Sequence, residues 1–394
     1  MKILITVYRS LGYGGAEVST RFLSREFEKL GHKVIVASTQ PYKDLDTILF
    51  KEIHKKPYFW QDYYLSKFLR KLIKEEKIDV IYPQDRLTTI AGIKAAKKCN
   101  VKVVVHFRDF WYACPRSSCM SPDNKNYDVC NYGIIWRKFP KSRFLLDAYK
   151  WHYIKSNWKT LEKADAKICS SYMEKDKLEL CGIRNNVNVV EAGRDISVFQ
   201  NVDAGEFKKK YKFKKYIVSI VGTLSYTKGI PVMIKVIPKV IEKNKDVCFL
   251  IAGDGVMMDD IKNMIKENKI EDNVILTGRV PLEDVAKIYS ISDAVLLPVI
   301  WQEPGSGIPV EVGASGKALI ASDIGAIKEM KENFKILVEP FDVDGWVNAI
   351  LKVVGDEKLK KNLGETGRKM VIEKYTMNVI AGRIEKILRS VTKT

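Results

Sequence analysis

Glu303-Pro-Gly-Ser-Gly-Ile-Pro-Val-Glu311 sets two carboxylates on either side of Gly305, Ser306 and Gly307. A Gly/Ser turn exposes backbone N–H groups and lets a ligand approach the main chain. A helix starting just after Ser306 puts its positive end behind those groups. Glu303 then lies in the loop and Glu311 about one turn inside the helix. An apolar run, Ala294–Leu297, precedes the turn, and another, Ala318–Ala321, follows it. Strand, loop, helix and strand in that order make a parallel βαβ unit. A loop of this kind at a strand end suits a polyhydroxylated, phosphate-bearing ligand.

The pattern extends in both directions. A second series of short β-branched runs starts at Tyr216–Val221 and continues through Val247–Ala252, Val274–Thr277 and Ile336–Val338. Helical stretches are expected at Ile230–Glu242, Met257–Asn268, Leu282–Tyr289 and Gly307–Ser315. Upstream, strands are expected at Lys2–Tyr8, Lys33–Ser38, Asp79–Pro83, Lys102–Phe107, Ala166–Ser170 and Val187–Val190. Helices between them include Ala16–Leu30, Tyr63–Glu76 and Leu87–Cys99. Two helices, Glu357–Tyr375 and Met377–Val391, close the chain. The fold class is α/β, with two doubly wound Rossmann-like domains facing each other across a cleft. Expected boundaries are 1–198 with the terminal helix 376–394, and 199–375.

The chain has 394 residues and a formal charge of +19, of which +14 falls within residues 1–200. That excess implies an anionic partner: acidic phospholipid, nucleic acid or a phosphorylated substrate. A Lys/Ile/Glu-rich bias is the plainer source of basic charge, yet it would not favour one half. No apolar run is long enough to span a bilayer. The seven cysteines lack framework spacing, and Cys114, Cys119 and Cys130 supply three thiols without a clear fourth ligand. No metal site is expected.

Several strand-end loops carry candidate ligand groups. Gly12-Tyr-Gly-Gly-Ala-Glu17 follows the first strand, and its glycines, Gly15 among them, allow backbone approach to a phosphate or sugar. A tight turn without ligand reads equally well. Gly222-Thr223 opens a loop in which Lys228 is placed to neutralise a diphosphate as a point charge. Arg279 follows Gly278 and is placed to touch a base or phosphate. His106, Arg108 and Asp109 come off the fourth strand. His106 is either a polar site group or a satisfied core histidine, Arg108 suits an anion, and Asp109 suits a sugar hydroxyl.

Residues 136–159 are aromatic and basic. Trp136, Trp151 and Trp158 stand beside Arg137, Lys138, Lys141, Arg143 and Lys155. Tryptophan favours the bilayer interface and lysine favours anionic headgroups. The competing reading is an amphipathic helix packed on its own sheet.

Together these features resemble the retaining glycosyltransferases of family four, which have the GT-B fold. Glu303 and Glu311 are similar to the family's E-x7-E motif. Gly313-Ala-Ser-Gly-Lys-Ala-Leu-Ile-Ala-Ser322 and Gly325-Ala-Ile-Lys-Glu329 follow it as they do there. Gly14-Gly15-Ala-Glu17 resembles the family's first glycine loop. Leu161–Ala166 and Gly193-Arg-Asp195 resemble its pre-linker segment. The resemblance implies that Glu303 holds donor-sugar hydroxyls and that Glu311 binds the nucleotide ribose. Lys228 would grip the diphosphate. The N–H groups around Ser306, Gly307 and Ile308 would contact the sugar, Gly15 would face the diphosphate, and Gly222 and Thr223 would line the donor loop. Glu17 and Arg108 fall on the acceptor side.

Three departures stand out. Thr223 occupies a position where the family usually has Arg. Arg108-Asp109 replaces His-Asp, with His106 two residues earlier. Ala192-Gly193 replaces Asn-Gly. The resemblance implies a nucleotide diphosphate sugar as donor, no other cofactor, a glycan or lipid-linked acceptor, and no nucleic acid partner. The basic aromatic segment suggests an acceptor met from the cytoplasmic side, and so a cytoplasmic protein, peripheral on the inner face of the cell membrane. Two rival readings remain: a nucleotide-sugar 2-epimerase of similar architecture, and a non-catalytic basic membrane or nucleic-acid binder.

Overall fold

The computed structural model describes residues 1–8, 15–42, 44–52, 56–121, 123–330 and 333–393, with residues 15–18 described as backbone alone. The chain divides into two compact units, Met1–Gly193 with Met377–Thr394, and Arg194–Thr376. The first crossing therefore falls at Gly193/Arg194, ahead of the expected 198/199.

Unit one holds seven strands: β1 (Lys2–Thr6), β2 (Lys33–Ser38), β3 (Thr47–Leu49), β4 (Val80–Pro83), β5 (Lys102–His106), β6 (Ala166–Cys169) and β7 (Val187–Val189). Their spatial order is β3-β2-β1-β4-β5-β6-β7, all parallel. The order reverses between β1 and β4, and a doubly wound sheet opens its crevice at such a point. Near-continuous burial along β1, β4, β5 and β6 explains their apolar composition, since parallel strands are covered on both faces. The short β3 was not expected, because Thr47-Ile-Leu49 is half exposed and carries little pattern.

The terminal helix Met377–Thr392 belongs to unit one. Its Ile380, Ile384 and Leu388 recur every four residues and join a core cluster with Ile3, Ile5, Val34 and Phe27. His32 Nε2 meets Glu385 Oε1 at 3.1 Å on the same helix. The helix is thus an integral wall of unit one, supplied from the far end of the chain.

Unit two holds six strands: β8 (Tyr216–Val221), β9 (Val247–Ala252), β10 (Val274–Gly278), β11 (Ala294–Leu297), β12 (Ala318–Ser322) and β13 (Lys335–Val338). Their order, β10-β9-β8-β11-β12-β13, is again fully parallel. It reverses between β8 and β11. A helix at Val343–Gly355 was absent from the expected series. Its signals are short: Asp342 accepts from Gly345 N at 2.9 Å as an N-cap, and Trp346 is fully buried behind it.

The aromatic, basic segment is broken into the helices Tyr132–Lys138, Phe144–Ser156 and Trp158–Glu162, with a 3-10 turn at Lys141–Arg143. Pro140 interrupts the run, since proline cannot continue a helix. No described helix is long and apolar enough to cross a membrane.

The terminal helix gives a stability test. Ile384→Ala removes a fully buried side chain and is expected to lower the unfolding free energy of unit one by about 3 kcal/mol. A Cβ at Gly382 meets nothing within 4 Å, so Gly382→Ala is expected to raise it by about 0.5 kcal/mol. Urea unfolding followed through unit-one probes checks both. Equal effects would show that the helix is not part of this core.

Candidate active site

The loops after β8 and β11 lie side by side where the order of unit two reverses. They enclose a cavity of about 200 Å³ lined by Gly222, Thr223, Lys228, Pro298 and Ile308, among others. The expected donor residues Gly222, Thr223, Lys228 and Ile308 thus come together at one cavity. Thr227 O accepts from Ile300 N at 3.0 Å, which ties the two loops. Gly229 closes the first loop at φ +77, a conformation that suits glycine. A Cβ there would sit 1.7 Å from Pro298 O, so the two loops approach only because the side chain is missing.

Lys228 reaches out of this loop and ion-pairs with Glu303 Oε1. Glu303 is 7% exposed, and its Oε2 is buried without a hydrogen-bond partner. A buried carboxylate oxygen left unpaired is costly and marks a place for a donor group. The backbone of Glu303 is fixed from the β12 side, where Ala326 N donates to Glu303 O at 2.9 Å. Gly325 permits that approach at φ +68, and a Cβ there would lie 2.7 Å from Glu303 N.

Glu311 lies in the first turn of the helix Ile308–Ala314. Its Oε1 accepts from Arg194 Nε at 3.2 Å, and its Oε2 accepts from Tyr289 Oη at 3.4 Å. Burial, reinforced by the neighbouring Glu311, pushes the Tyr289 hydroxyl pKa well above its usual value. Tyr289 therefore stays a protonated donor. The Arg194 guanidinium covers Gly307 so closely that a Cβ there would fall 2.0 Å from it. Sequence reasoning missed Arg194 and Tyr289 as site residues. Arg194 sat within the quoted Gly193-Arg-Asp195, but its cation had no assigned partner. Ser306 is half-buried beside Gly307, and Arg279 is exposed directly after β10, two strands from β8.

In unit one the fourth-strand group is more enclosed than expected. His106 ends β5 at 6% exposure, with Tyr82 Oη 2.5 Å from its Nδ1. Burial, and then the Arg108 charge, hold its pKa well below the usual value, so the ring is neutral. Of the two readings of His106, the satisfied core histidine is the one its burial and its Tyr82 partner match. Arg108 donates to Ser19 Oγ at 3.1 Å and to Gln84 Oε1 at 2.5 Å. Asp109 Oδ1 accepts from Trp111 N at 2.8 Å, and burial pushes its carboxyl up to about 6. The Gly12–Gly14 part of the first glycine loop lies outside the described residues, as does the side chain of Glu17. Gly15 begins the helix Gly15–Lys29.

Two tryptophans of the aromatic segment pack on each other, and one of them is buried. Trp151 is 2% exposed, and Trp158 donates from Nε1 to Tyr112 O at 2.9 Å while its ring packs 5.6 Å from Trp151. The assignment of Trp151 to a surface is corrected, because its ring is buried on the inner side of the helix Phe144–Ser156, while Trp158 stays half-buried beside it. Trp136, Arg137, Lys138, Lys141, Arg143 and Lys155 are exposed. The three thiols lie together in one loop, where Cys114 Sγ meets Tyr127 Oη at 3.0 Å. No group of three or more His, Cys, Asp or Glu placed to hold a metal occurs among the described residues.

Residues 13–198 match the family model described as Glycosyltransferase Family 4, and residues 203–370 match the one described as Glycosyl transferases group 1. The phosphatidylinositol N-acetylglucosaminyltransferase GPI3 subunit of Saccharomyces cerevisiae is 24% identical, across 97% of this chain and 81% of that one. The UDP-Gal:alpha-D-GlcNAc-diphosphoundecaprenol alpha-1,3-galactosyltransferase of Escherichia coli is 25% identical, across 81% and 76%. The crystal structure of Anabaena HepE in complex with UDP superposes with a TM-score of 0.77 at 17% identity, covering 99% of this chain and 100% of that one. With each half matched by a glycosyltransferase model and with two doubly wound parallel sheets, the chain is an enzyme of the family 4 type of glycosyltransferases, of GT-B fold.

Proposed function

We propose that this enzyme moves a hexosyl group from a nucleotide diphosphate sugar to a hydroxyl of a lipid-linked or cell-surface glycan precursor, with retention at the anomeric carbon. The observation that carries the reading is the Lys228–Glu303 pair beside the β8/β11 cavity, with Glu303 Oε2 buried and unpartnered. A sugar hydroxyl satisfies that oxygen, and a diphosphate gives Lys228 a second anion. Similar proteins are consistent with it: Anabaena HepE binds UDP, and the yeast and Escherichia coli relatives are named for lipid-linked acceptors.

The reaction follows from these groups. The bond from the anomeric carbon to the diphosphate oxygen breaks, and the electron pair leaves with the phosphate. Lys228 stabilises that charge as it forms, helped by the N–H groups around Ser306, Gly307 and Ile308. The acceptor oxygen bonds to the anomeric carbon on the same face and passes its proton to the departing phosphate. Glu303 orients the donor sugar. Glu311, held by Arg194 and Tyr289, accepts from the ribose hydroxyls. Gly15 faces the diphosphate, while Arg279, Arg108 and Glu17 serve as auxiliary polar groups. Asp109 orients an acceptor hydroxyl. No cofactor besides the donor takes part, and the enzyme works at the cytoplasmic face of a membrane.

Three outcomes test this reading. Lys228→Met and Glu303→Gln are each expected to lower kcat for transfer roughly 100-fold or more. Activity near that of the unaltered enzyme in either variant would remove the pair from the mechanism. Incubation with donor alone should leave its sugar configuration unchanged, whereas an epimerase would alter it.

Arg194→Ala is expected to raise the donor KM roughly tenfold with little change in kcat, because it frees Glu311 without touching the reacting atoms. Gly307→Ala displaces the same guanidinium and should raise the donor KM as well. A fall in kcat at constant KM would contradict a positioning role for Arg194.

Asp109 gives a pH test. Its carboxyl is raised from 3.8 to about 6 in the fold. The folded state then binds more protons than the unfolded one between those values, so stability falls as pH rises through that window. Asp109→Asn is expected to flatten this part of the stability profile. An unchanged slope in urea titrations would show that Asp109 ionises normally.

A further inference from the structure

The helix Tyr58–Glu75 turns an aromatic face outward. Gln61, Asp62, Leu65, Leu69, Leu72 and Ile73 are buried along one side. Phe59, Trp60, Tyr63 and Tyr64 fall on the opposite side at helical spacing, and all four are exposed, Phe59 to 65%. Two turns further along, the same outward side carries Lys67 and Lys71. Large apolar side chains grouped on one exposed face call for a partner.

The face continues onto neighbouring elements. Tyr58 N donates to Tyr149 Oη at 2.9 Å, and their rings stack at 5.5 Å, which sets the start of this helix against the helix Phe144–Ser156. That second helix exposes Leu145 to 82%, with Leu146 and Tyr149 beside it. Phe144 in turn packs on Trp136 at 5.1 Å, and Lys141 Nζ lies 3.7 Å from the Trp136 ring centroid. Eleven Lys and Arg occur in residues 56–71 and 132–159, against two acids, Asp62 and Asp147. Both acids are buried, one paired with Lys94 and the other with Arg116. Lys71 also pairs with the exposed Glu75 at 3.6 Å and Lys138 with the exposed Asp123, so the exposed charge of the patch is net cationic with two of its lysines partly neutralised.

We propose that this face, led by Phe59, Trp60, Tyr63 and Tyr64, seats unit one on a bilayer that carries anionic headgroups. Aromatic rings with polar edges settle at the depth of the headgroups, and the lysines behind them meet phosphate. A second protein copy would be a poorer occupant, since two cationic faces repel one another. The inference rests on the membrane reading of the proposed function and names the surface that performs it.

The test is sedimentation with vesicles of phosphatidylcholine alone and of phosphatidylcholine mixed with phosphatidylglycerol. The full chain is expected to bind the mixed vesicles, with high salt weakening binding. The exposed double variants Phe59→Ser/Trp60→Ser and Lys67→Glu/Lys71→Glu should each bind roughly tenfold more weakly. Their melting points and their thermal shift with a nucleotide diphosphate sugar should match those of the unaltered chain, which isolates the surface from the donor site. Brominated acyl chains should quench Trp60, and Trp60→Phe should reduce that quenching. Vesicle binding unchanged in both double variants would overturn this surface while leaving the membrane reading intact. No binding by the unaltered chain would overturn both. A dimer in light scattering that the aromatic variant dissolves, without vesicle binding, would reassign the face to self-association.

Discussion

The cavity loops of unit two depend on a carboxylate placed where water cannot fully reach it. Glu303 is held by one cation, Lys228, from the loop of a neighbouring strand. Burying a charge is unfavourable unless it is paired and hydrogen-bonded. Here one oxygen is paired and the other is not. The half-satisfied state costs stability, and a fold keeps it only where the surrounding backbone leaves no alternative. That backbone is over-determined. Gly229 lets the Lys228 loop touch Pro298, and Gly325 lets the β12 loop touch Glu303. Two glycines without side chains thus set the distance at which a lysine and a glutamate meet.

Glu311 follows a different logic. Both of its oxygens are satisfied within the protein, by Arg194 and by Tyr289. A ligand hydroxyl there joins an existing network instead of completing an empty valence. Arg194 is the first residue of unit two and Thr376 the last, and the two form a parallel bridge with Arg194 N donating to Tyr375 O at 3.1 Å. The residue that positions Glu311 is thereby anchored where both ends of unit two come together. An Arg beside the carboxylate pair also adds positive charge to a site whose glycine loop carries Thr223.

Much of the fold was legible in the sequence because parallel strands announce themselves. Val247–Ala252 and Ala294–Leu297 are continuous apolar runs, and both sit fully buried. The carboxylate pair was legible too, since Gly and Ser between two glutamates mark a strand-end loop. Other features were silent for physical reasons. Thr47–Leu49 pairs only at the sheet edge and has no buried face to write into its pattern. Arg194 acts through a partner more than a hundred residues away, and spacing carries no trace of such a pair. Trp151 misled because a tryptophan next to lysines looks interfacial in one dimension. In three dimensions Lys155 lies outside while the Trp151 ring turns in.

The same ambiguity ran the other way at Tyr58–Tyr64. A helix starting at Tyr63 hides the pattern, because Phe59 and Trp60 then belong to no periodic element. Once Pro57 fixes the start at Tyr58, four aromatics align on one side and the buried set on the other. Solvation alone would not place four aromatic rings on an outer face, since each raises the free energy of the exposed surface. Such a cluster is more favourable where water is not the usual neighbour. The lysines that follow on the same helix give the direction of the argument: apolar rings need something less polar than water, and the cations beside them need something negative. A bilayer interface with acidic headgroups meets both needs within a few ångströms of depth.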